Sequence, residues 1–267
     1  MMAAWYEQTV DGVLLDITGV LYNSGPGRGS VIPGSVDAVD RLRQAGLPIR
    51  FCTNETTSTK SALVEKLQFH GFNLTEADVF PPAPAVCSIL KRRHLRPFLL
   101  LHPNARANFA DIDTSNPNCV VMGDAVDEFT YENMNKAFKL LMSLEEPVLI
   151  SMGRGKYYKE DNEIVLDLGA FMKALEYACD IEAEVVGKPS PSFFNAALED
   201  MGVTSDKVVM VGDDVVNDIG GSQACGMRGV LVRTGKYRPS DEQHPTVKPS
   251  GVVDNLAQAV DLILKHR

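Results

Sequence analysis

The 267-residue chain predicts an α/β fold: a doubly wound (Rossmann-like) parallel-sheet core carrying an inserted, smaller α/β module. Short apolar runs alternate with amphipathic helical stretches, which is the pattern of parallel strands joined by crossover helices. Polar residues follow directly on several of those runs, as they do where strands end at a ligand-binding sheet edge. The length exceeds a single domain of about 100–200 residues, and 45% apolar with 23% charged residues supports a sizeable buried core.

The first strand is Gly12-Val13-Leu14-Leu15, ending at Asp16. The next helix carries Val36, Val39, Leu42 and Ala45 at helical spacing and stops at Gly46. A second strand, Ile49-Arg50-Phe51-Cys52, ends at Thr53-Asn54, and a helix through Ala62–Phe69 closes at Gly71. The proline-dense segment from Asp78 to Pro84 reads as a domain junction. Beyond it lie strands at Phe98–Leu101, Cys119–Met122 and Val148–Ser151, and helices bearing Met134, Phe138 and Leu141 and spanning Phe171–Ala178. The strand Glu184-Val185-Val186 leads to Gly187-Lys188 and then to a helix over Pro189–Met201 with proline in its opening turn. Strands Val208–Val211 and Gly229–Val232, a helix near Val216–Ala224 and an amphipathic helix Leu256–Leu264 complete the chain. These elements predict a discontinuous core over 1–78 and 183–267 with an inserted module over 79–182.

Composition excludes several function classes. Lysine plus arginine number 26 against 35 acidic residues, a formal charge of −9, which repels a nucleic-acid polyanion. The longest apolar stretches, Pro97–Leu101 and Pro147–Met152, fall far short of the roughly 20 residues of a membrane span. The first residues show neither a basic n-region nor an apolar h-region, so a cytosolic address is expected. Cys52, Cys87, Cys119, Cys179 and Cys225 form no C-x-x-C pair and read as reduced thiols. The scattered His70, His94, His102, His244 and His266 offer no zinc spacing.

Three segments place polar residues after an apolar strand: Leu15-Asp16-Ile17-Thr18-Gly19, Phe51-Cys52-Thr53-Asn54 and Val211-Gly212-Asp213-Asp214. One sheet edge would collect them. Asp16 and Asp213 supply hard oxygen ligands suited to Mg²⁺ beside a phosphate, Lys188 adds positive charge, and Thr53 and Asn54 offer donors to phosphoryl oxygens. This is the equipment of phosphoryl transfer, with Asp16 as the nucleophile. Taken singly, each residue reads equally well as a helix cap, a turn or a surface charge. The ordered set is what favours chemistry. A second acidic loop, Val120-Val121-Met122-Gly123-Asp124, echoes Val209–Asp218, but the latter carries more acid and is preferred. The loop Gly25–Ser30 lacks a P-loop ending and reads as a surface loop. The basic, aromatic run Gly153–Lys159 reads either as a solvated loop or as a substrate contact.

These motifs, Asp16-Ile17-Thr18-Gly19, Thr53, Lys188 and Gly212-Asp213 with Asp218, occur in the order found in the haloacid-dehalogenase superfamily of aspartate-nucleophile phosphatases, which the chain resembles. The insertion resembles that family's C2-type cap, with Lys156-Tyr157-Tyr158-Lys159, Leu175-Glu176-Tyr177-Ala178 and Gly187-Lys188-Pro189-Ser190-Pro191 as its closing run. Leu15–Tyr22, Asp113–Val120 and Arg233–Asp241 are similar to a branch acting on phospholysine, phosphohistidine and inorganic pyrophosphate. The resemblance implies Asp16 as nucleophile and Mg²⁺ ligand, Thr18 as a ligand through its carbonyl, and Asp213 as the other carboxylate. It implies substrate contacts at Asp16, Ile17, Thr18, Thr53, Asn54 and Lys188, and supporting roles for Asp214 and for Asp218, which would orient Lys188 or a metal-bound water. It also implies a homodimer in the cytosol and nucleus acting on phosphorylated small molecules, on phosphohistidine- or phospholysine-containing peptides or proteins, and on pyrophosphate.

Thr18 departs from the common family pattern, in which a second aspartate acts as general acid and base. Such help contributes about 10²–10⁴-fold, so its loss penalises basic alkoxide leaving groups most. Phosphate is a weakly basic leaving group, and a P–N nitrogen can be protonated from solvent; imidazole, with a pKa of about 6.5, leaves especially readily. Two alternatives stand beside this reading: a small-molecule phosphomonoesterase of the phosphoglycolate or pyridoxal-phosphate type, and a low-turnover phospho-ligand-binding or scaffold protein.

Overall fold

The computed structural model describes residues 4–25, 27–160 and 163–266. The chain begins with β1 (Gly12–Leu15), the short hairpin β2 (Tyr22–Asn23) and β3 (Ser30–Val31), α1 (Ser35–Gln44), β4 (Ile49–Cys52), α2 (Lys60–Phe69), β5 (Val79–Phe80) and α3 (Ala83–Arg93). It continues with β6 (Pro97–Leu100), β7 (Cys119–Met122), α4 (Tyr131–Ser143), β8 (Leu149–Ser151), the hairpin β9 (Tyr157–Glu160) and β10 (Glu163–Leu166), α5 (Leu168–Cys179) and β11 (Glu184–Val185). It closes with α6 (Pro191–Met201), β12 (Val208–Gly212), α7 (Gly221–Ala224), β13 (Arg228–Val232), β14 (Gly251–Val253) and α8 (Leu256–Lys265).

A six-stranded sheet runs in the order β14-β13-β12-β1-β4-β5, with every neighbouring pair parallel. Both of its faces are covered, which is why its strands read as continuous apolar runs. Val13 and Leu15 turn to one face and meet Leu42 of α1 and Ile263 of α8. Leu14 and Met210 turn to the other and meet Phe194 and Leu198 of α6. This alternation follows from the two-residue period of a strand.

A second, four-stranded parallel sheet runs β11-β8-β7-β6. Cys119 and Val121 pack with Val86 and Leu90 of α3 on one face, and Val120 and Met122 with Leu141 of α4 and Met172 of α5 on the other. The passage between sheets differs from the sequence expectation at both ends. Val79–Phe80 still pairs with β4 in the first sheet, so the chain leaves that sheet two residues beyond 78. Glu184–Val185 pairs with β8 in the second sheet, so the return lies after Val185 rather than at 183. The proline-dense junction also runs straight into α3, with a proline in its first turn, the position where a missing N–H is harmless. The helix expected near 216–224 is a π-type turn over Val215–Gly220 followed by the short α7.

All five cysteines are free, and no helix among the described residues is long and apolar enough to cross a membrane. The amino-terminal segment is pinned by buried Arg228 of β13, which donates to the carbonyls of Trp5 (2.7 Å), Gln8 (3.2 Å) and Thr9 (2.7 Å). Arg228→Met strips the donor from all three at once. It is expected to lower unfolding free energy by roughly 2–4 kcal/mol in urea melts.

Candidate active site

Leu15 and Val211 lie opposite one another in neighbouring parallel strands, so the residues that follow them emerge side by side at the carboxyl end of the sheet. Asp16 follows β1, its backbone N–H donating to Val211 O at 2.9 Å. Asp213 follows β12. Asp218 comes from the π-type turn beyond β12 and is fully buried. Gly212 makes room for it, because a Cβ there would collide with the Asp218 carboxylate.

Lys188 joins them from the segment that returns from the second sheet. Its Nζ lies 2.6 Å from Asp16 Oδ1 and 2.7 Å from Asp218 Oδ1, with all three side chains nearly or wholly buried. Burial alone would discharge the ammonium, but the two carboxylates outweigh it and hold its pKa above the usual lysine range. Asn54 places this lysine: its Oδ1 accepts from the Lys188 N–H at 2.8 Å and its Nδ2 donates to the Lys188 carbonyl at 2.8 Å. The sequence reading gave Asn54 to phosphoryl oxygens, whereas the structure spends its amide on the Lys188 peptide. Thr53 is buried, with Oγ1 accepting from the Glu55 N–H at 2.9 Å. Its own N–H goes to Phe80 O, so its hydroxyl is the group left for a ligand. The helix that follows starts at Lys60, two residues before the expected Ala62, capped by Thr59.

Asp16, Asp213 and Asp218 offer carboxylate oxygens within 4.8 Å of one another. Asp213 Oδ2 accepts from the Lys236 N–H at 2.8 Å, while Oδ1 is buried without a partner among the described residues. Burial, Asp16 and Asp218 push the Asp213 pKa well up against the pull of Lys236. Burial and Asp16 likewise raise Asp218 against the pull of Lys188. Three close carboxylates, one with an orphaned oxygen, fit a hard divalent cation. Asp214 has a different task. It caps the following turn through Val216 and Asn217 and pairs with Lys236 Nζ at 2.7 Å. Although burial opposes it, the Lys236 charge and these amides lower its pKa to about 2.

The Ile17 side chain sits in the core, away from the site, and Thr18 lines the cavity. Residues to which the sequence reading gave no role complete the site. Gly19 and Gly235, both in the left-handed region, flank Asp213 so closely that a Cβ on either would strike its carboxylate. Thr234 donates to the Gly19 carbonyl, closing the loop after β13 over the site. A cavity of about 410 Å³ opens above Asp16, lined also by Lys66, Asp124, Tyr158, Lys159 and Asp167. The run ending at Lys159 therefore reaches the cavity, as does Gly25 of the loop read as surface. Asp124 is tied to the first sheet's loop, its N–H donating to Thr56 Oγ1 at 2.7 Å.

Removing the Asn54 amide frees Lys188 without touching a carboxylate. Asn54→Ala is expected to lower kcat about 10- to 100-fold, the penalty for misplacing a catalytic group, with little change in thermal midpoint.

Two family models match the chain, Haloacid dehalogenase-like hydrolase over residues 13–115 and a second model of HAD-like hydrolases over 185–259. The chain is 60% identical over 267 residues, 99% of each chain, to phospholysine phosphohistidine inorganic pyrophosphate phosphatase of Rattus norvegicus. It is 41% identical over 259 residues, 97% of this chain and 98% of the other, to haloacid dehalogenase-like hydrolase domain-containing protein 2 of Homo sapiens. Among solved structures, 4-nitrophenylphosphatase of Thermotoga maritima superposes with a TM-score of 0.84 at 26% identity, covering 95% of this chain and 97% of that one. With identity this high over nearly its full length, the chain belongs to the haloacid dehalogenase-like hydrolases.

Proposed function

We propose that the protein is a Mg²⁺-dependent phosphohydrolase that cleaves the P–N bonds of phospholysine and phosphohistidine and the P–O–P bridge of pyrophosphate through an aspartyl-phosphate on Asp16. The observation that carries this reading is the Asp16 carboxylate, buried at the cavity floor and held at 2.6 Å by Lys188. The 60% identity to a phosphatase bearing those substrates in its name supports the choice of substrates.

Lys188 orients Asp16 and offsets the repulsion between a carboxylate and an incoming phosphoryl group. The free Asp16 oxygen attacks phosphorus, the P–N or bridging P–O bond breaks, and its electron pair departs with nitrogen or oxygen. Thr53 and Lys188 donate to the phosphoryl oxygens. Water then attacks phosphorus, breaking the Asp16–phosphorus linkage and releasing phosphate and a proton. Asp16 and Asp213, with Thr18 through its carbonyl, would hold Mg²⁺, which when bound supplies positive charge against the phosphoryl oxygens. Asp218 keeps Lys188 in place throughout. Thr18 carries no readily transferred proton, so leaving groups needing little acid assistance are favoured. The proposal extends to the homodimer in cytosol and nucleus that the sequence resemblance implies.

A phosphomonoesterase reading is favoured by one observation, the likeness to a 4-nitrophenylphosphatase. Its aryl leaving group is also weakly basic, so alkyl esters discriminate the readings. The test is Mg²⁺-dependent phosphate release from pyrophosphate, phospholysine and phosphohistidine beside an alkyl phosphomonoester. The expected result is faster P–N and pyrophosphate turnover, abolished in Asp16→Asn; preference for the alkyl ester would move the assignment to phosphomonoesterase, and no release from any substrate to a binding protein. Asp213→Asn is expected to raise the Mg²⁺ concentration for half-maximal rate by more than about tenfold, measured by metal titration of the rate.

A further inference from the structure

We propose that Lys66 of α2 is a specificity-determining residue that receives the departing phosphate of pyrophosphate, an anionic subsite within the active-site cavity; the proposal rests on the phosphohydrolase reading above. Lys66 lines the cavity and makes no ion pair with any described residue. Its Nζ donates instead to the neutral Tyr22 hydroxyl at 3.0 Å and lies 4.5 Å from the centre of that ring. Tyr22 is fully buried, stacks on His70 at 5.7 Å, and accepts from Thr18 Oγ1 at 3.4 Å. The ammonium is thereby held beside Thr18, two residues from the nucleophile, with donors to spare.

Two other lysines of the cavity are committed, buried Lys188 to Asp16 and Asp218 and half-buried Lys236 to Asp214. The wall contributed by the second sheet and its hairpin is net negative, with Asp124, Glu160 and Asp167 against the exposed Lys159. Tyr158 there lies in the field of Asp124, Glu160, Asp167 and Glu55, and burial together with the Asp167 charge pushes Asp124 up to about 7. A leaving anion therefore finds an ammonium fixed beside Thr18 on the Lys66 side and a net negative wall, bearing only the exposed Lys159, on the other.

In-line departure from a phosphoryl group seated on Asp16 sends the leaving group into this cavity. When the bridging P–O bond of pyrophosphate breaks, the electron pair and its charge pass to the departing phosphate, where a fixed ammonium stabilises them. The nitrogen leaving from phospholysine departs as an amine after taking a proton and gains nothing from that cation. Lys66 thus supplies electrostatically, for one substrate class, what the Thr18 hydroxyl does not supply by proton transfer. Tyr22 is a positioning residue for it.

The test compares kcat/KM for pyrophosphate and phospholysine in the full-length Mg²⁺-loaded protein. Lys66→Met is expected to lower the pyrophosphate-to-phospholysine ratio about 10- to 100-fold. Lys66→Arg is expected to restore most of it, and Tyr22→Phe, which keeps the ring but loses the hydroxyl, to lower it part of the way. An unchanged ratio in Lys66→Met, or an equal fall in Lys66→Arg, overturns the proposal. Calorimetry separates it from the reading it rests on: methylenediphosphonate is expected to bind Lys66→Met at least about tenfold more weakly than wild type while inorganic phosphate binding holds. Equal weakening of both ligands would mean that Lys66 contributes only a general field, and would overturn the subsite even if the protein turned over neither substrate.

Discussion

The buried ammonium of Lys188, shared between Asp16 and Asp218 at 2.6 and 2.7 Å, is the interaction on which the site depends. Breaking a buried ion pair by removing one partner is far more disruptive than never having formed it, so each of these groups constrains the other two. The carboxylates keep the lysine charged where burial alone would discharge it. The lysine in turn fixes one oxygen of Asp16, leaving the other for phosphorus. Because Asp16 and Asp218 belong to the first sheet while Lys188 follows the last strand of the second, the same triad ties the two sheets together at the point of chemistry.

Charge balance explains the rest of the site. Asp213, with one oxygen on the Lys236 N–H and the other without a partner among the described residues, adds a further negative charge beside Asp16, and a bound divalent cation would relieve the crowding that raises its pKa. Close approach makes this possible: Gly19, Gly212 and Gly235 stand where any side chain would strike Asp213 or Asp218. Lys236 and Asp214 form a separate half-buried pair that holds the loop after β13 against the site. Above this floor the cavity walls differ in charge, with Lys66 on the first sheet's side and Asp124, Glu160 and Asp167 outnumbering Lys159 on the other.

Much of this was legible in the sequence because strand ends are legible. Asp16, Thr53 and Asp213 each follow an apolar run directly, and parallel pairing brings such positions to one edge. Lys188 was identified as a charge at that edge, where the structure has it, but the strand before it was assigned to the first sheet, since the two-residue β11 carries too little pattern to assign its partner. Asn54 lines the cavity as the sequence reading had it, but its grip on the Lys188 peptide was not foreseen, because an amide suits a phosphate and a peptide equally well and only the geometry shows which one its side chain meets. Gly235 and Lys236 were missed because nothing local reveals that the loop after β13 folds back over β12. Their signal was a Gly-Lys pair just beyond a predicted strand. Asp124 was set aside as belonging to the inserted module, and that module's tilt over the core, secured by Thr56, is a tertiary property with no local trace.

The central claim is that Asp16, seated between Lys188 and a cation site, accepts the phosphoryl group. A crystal structure grown with Mg²⁺ and beryllium fluoride, a mimic of an acyl-phosphate, tests it most directly. The account predicts a beryllium fluoride group on an Asp16 carboxylate oxygen, contacted by Thr53 and Lys188, with Mg²⁺ on Asp16 and Asp213 Oδ1. The adduct on another residue, or Mg²⁺ bound without Asp213, would contradict it.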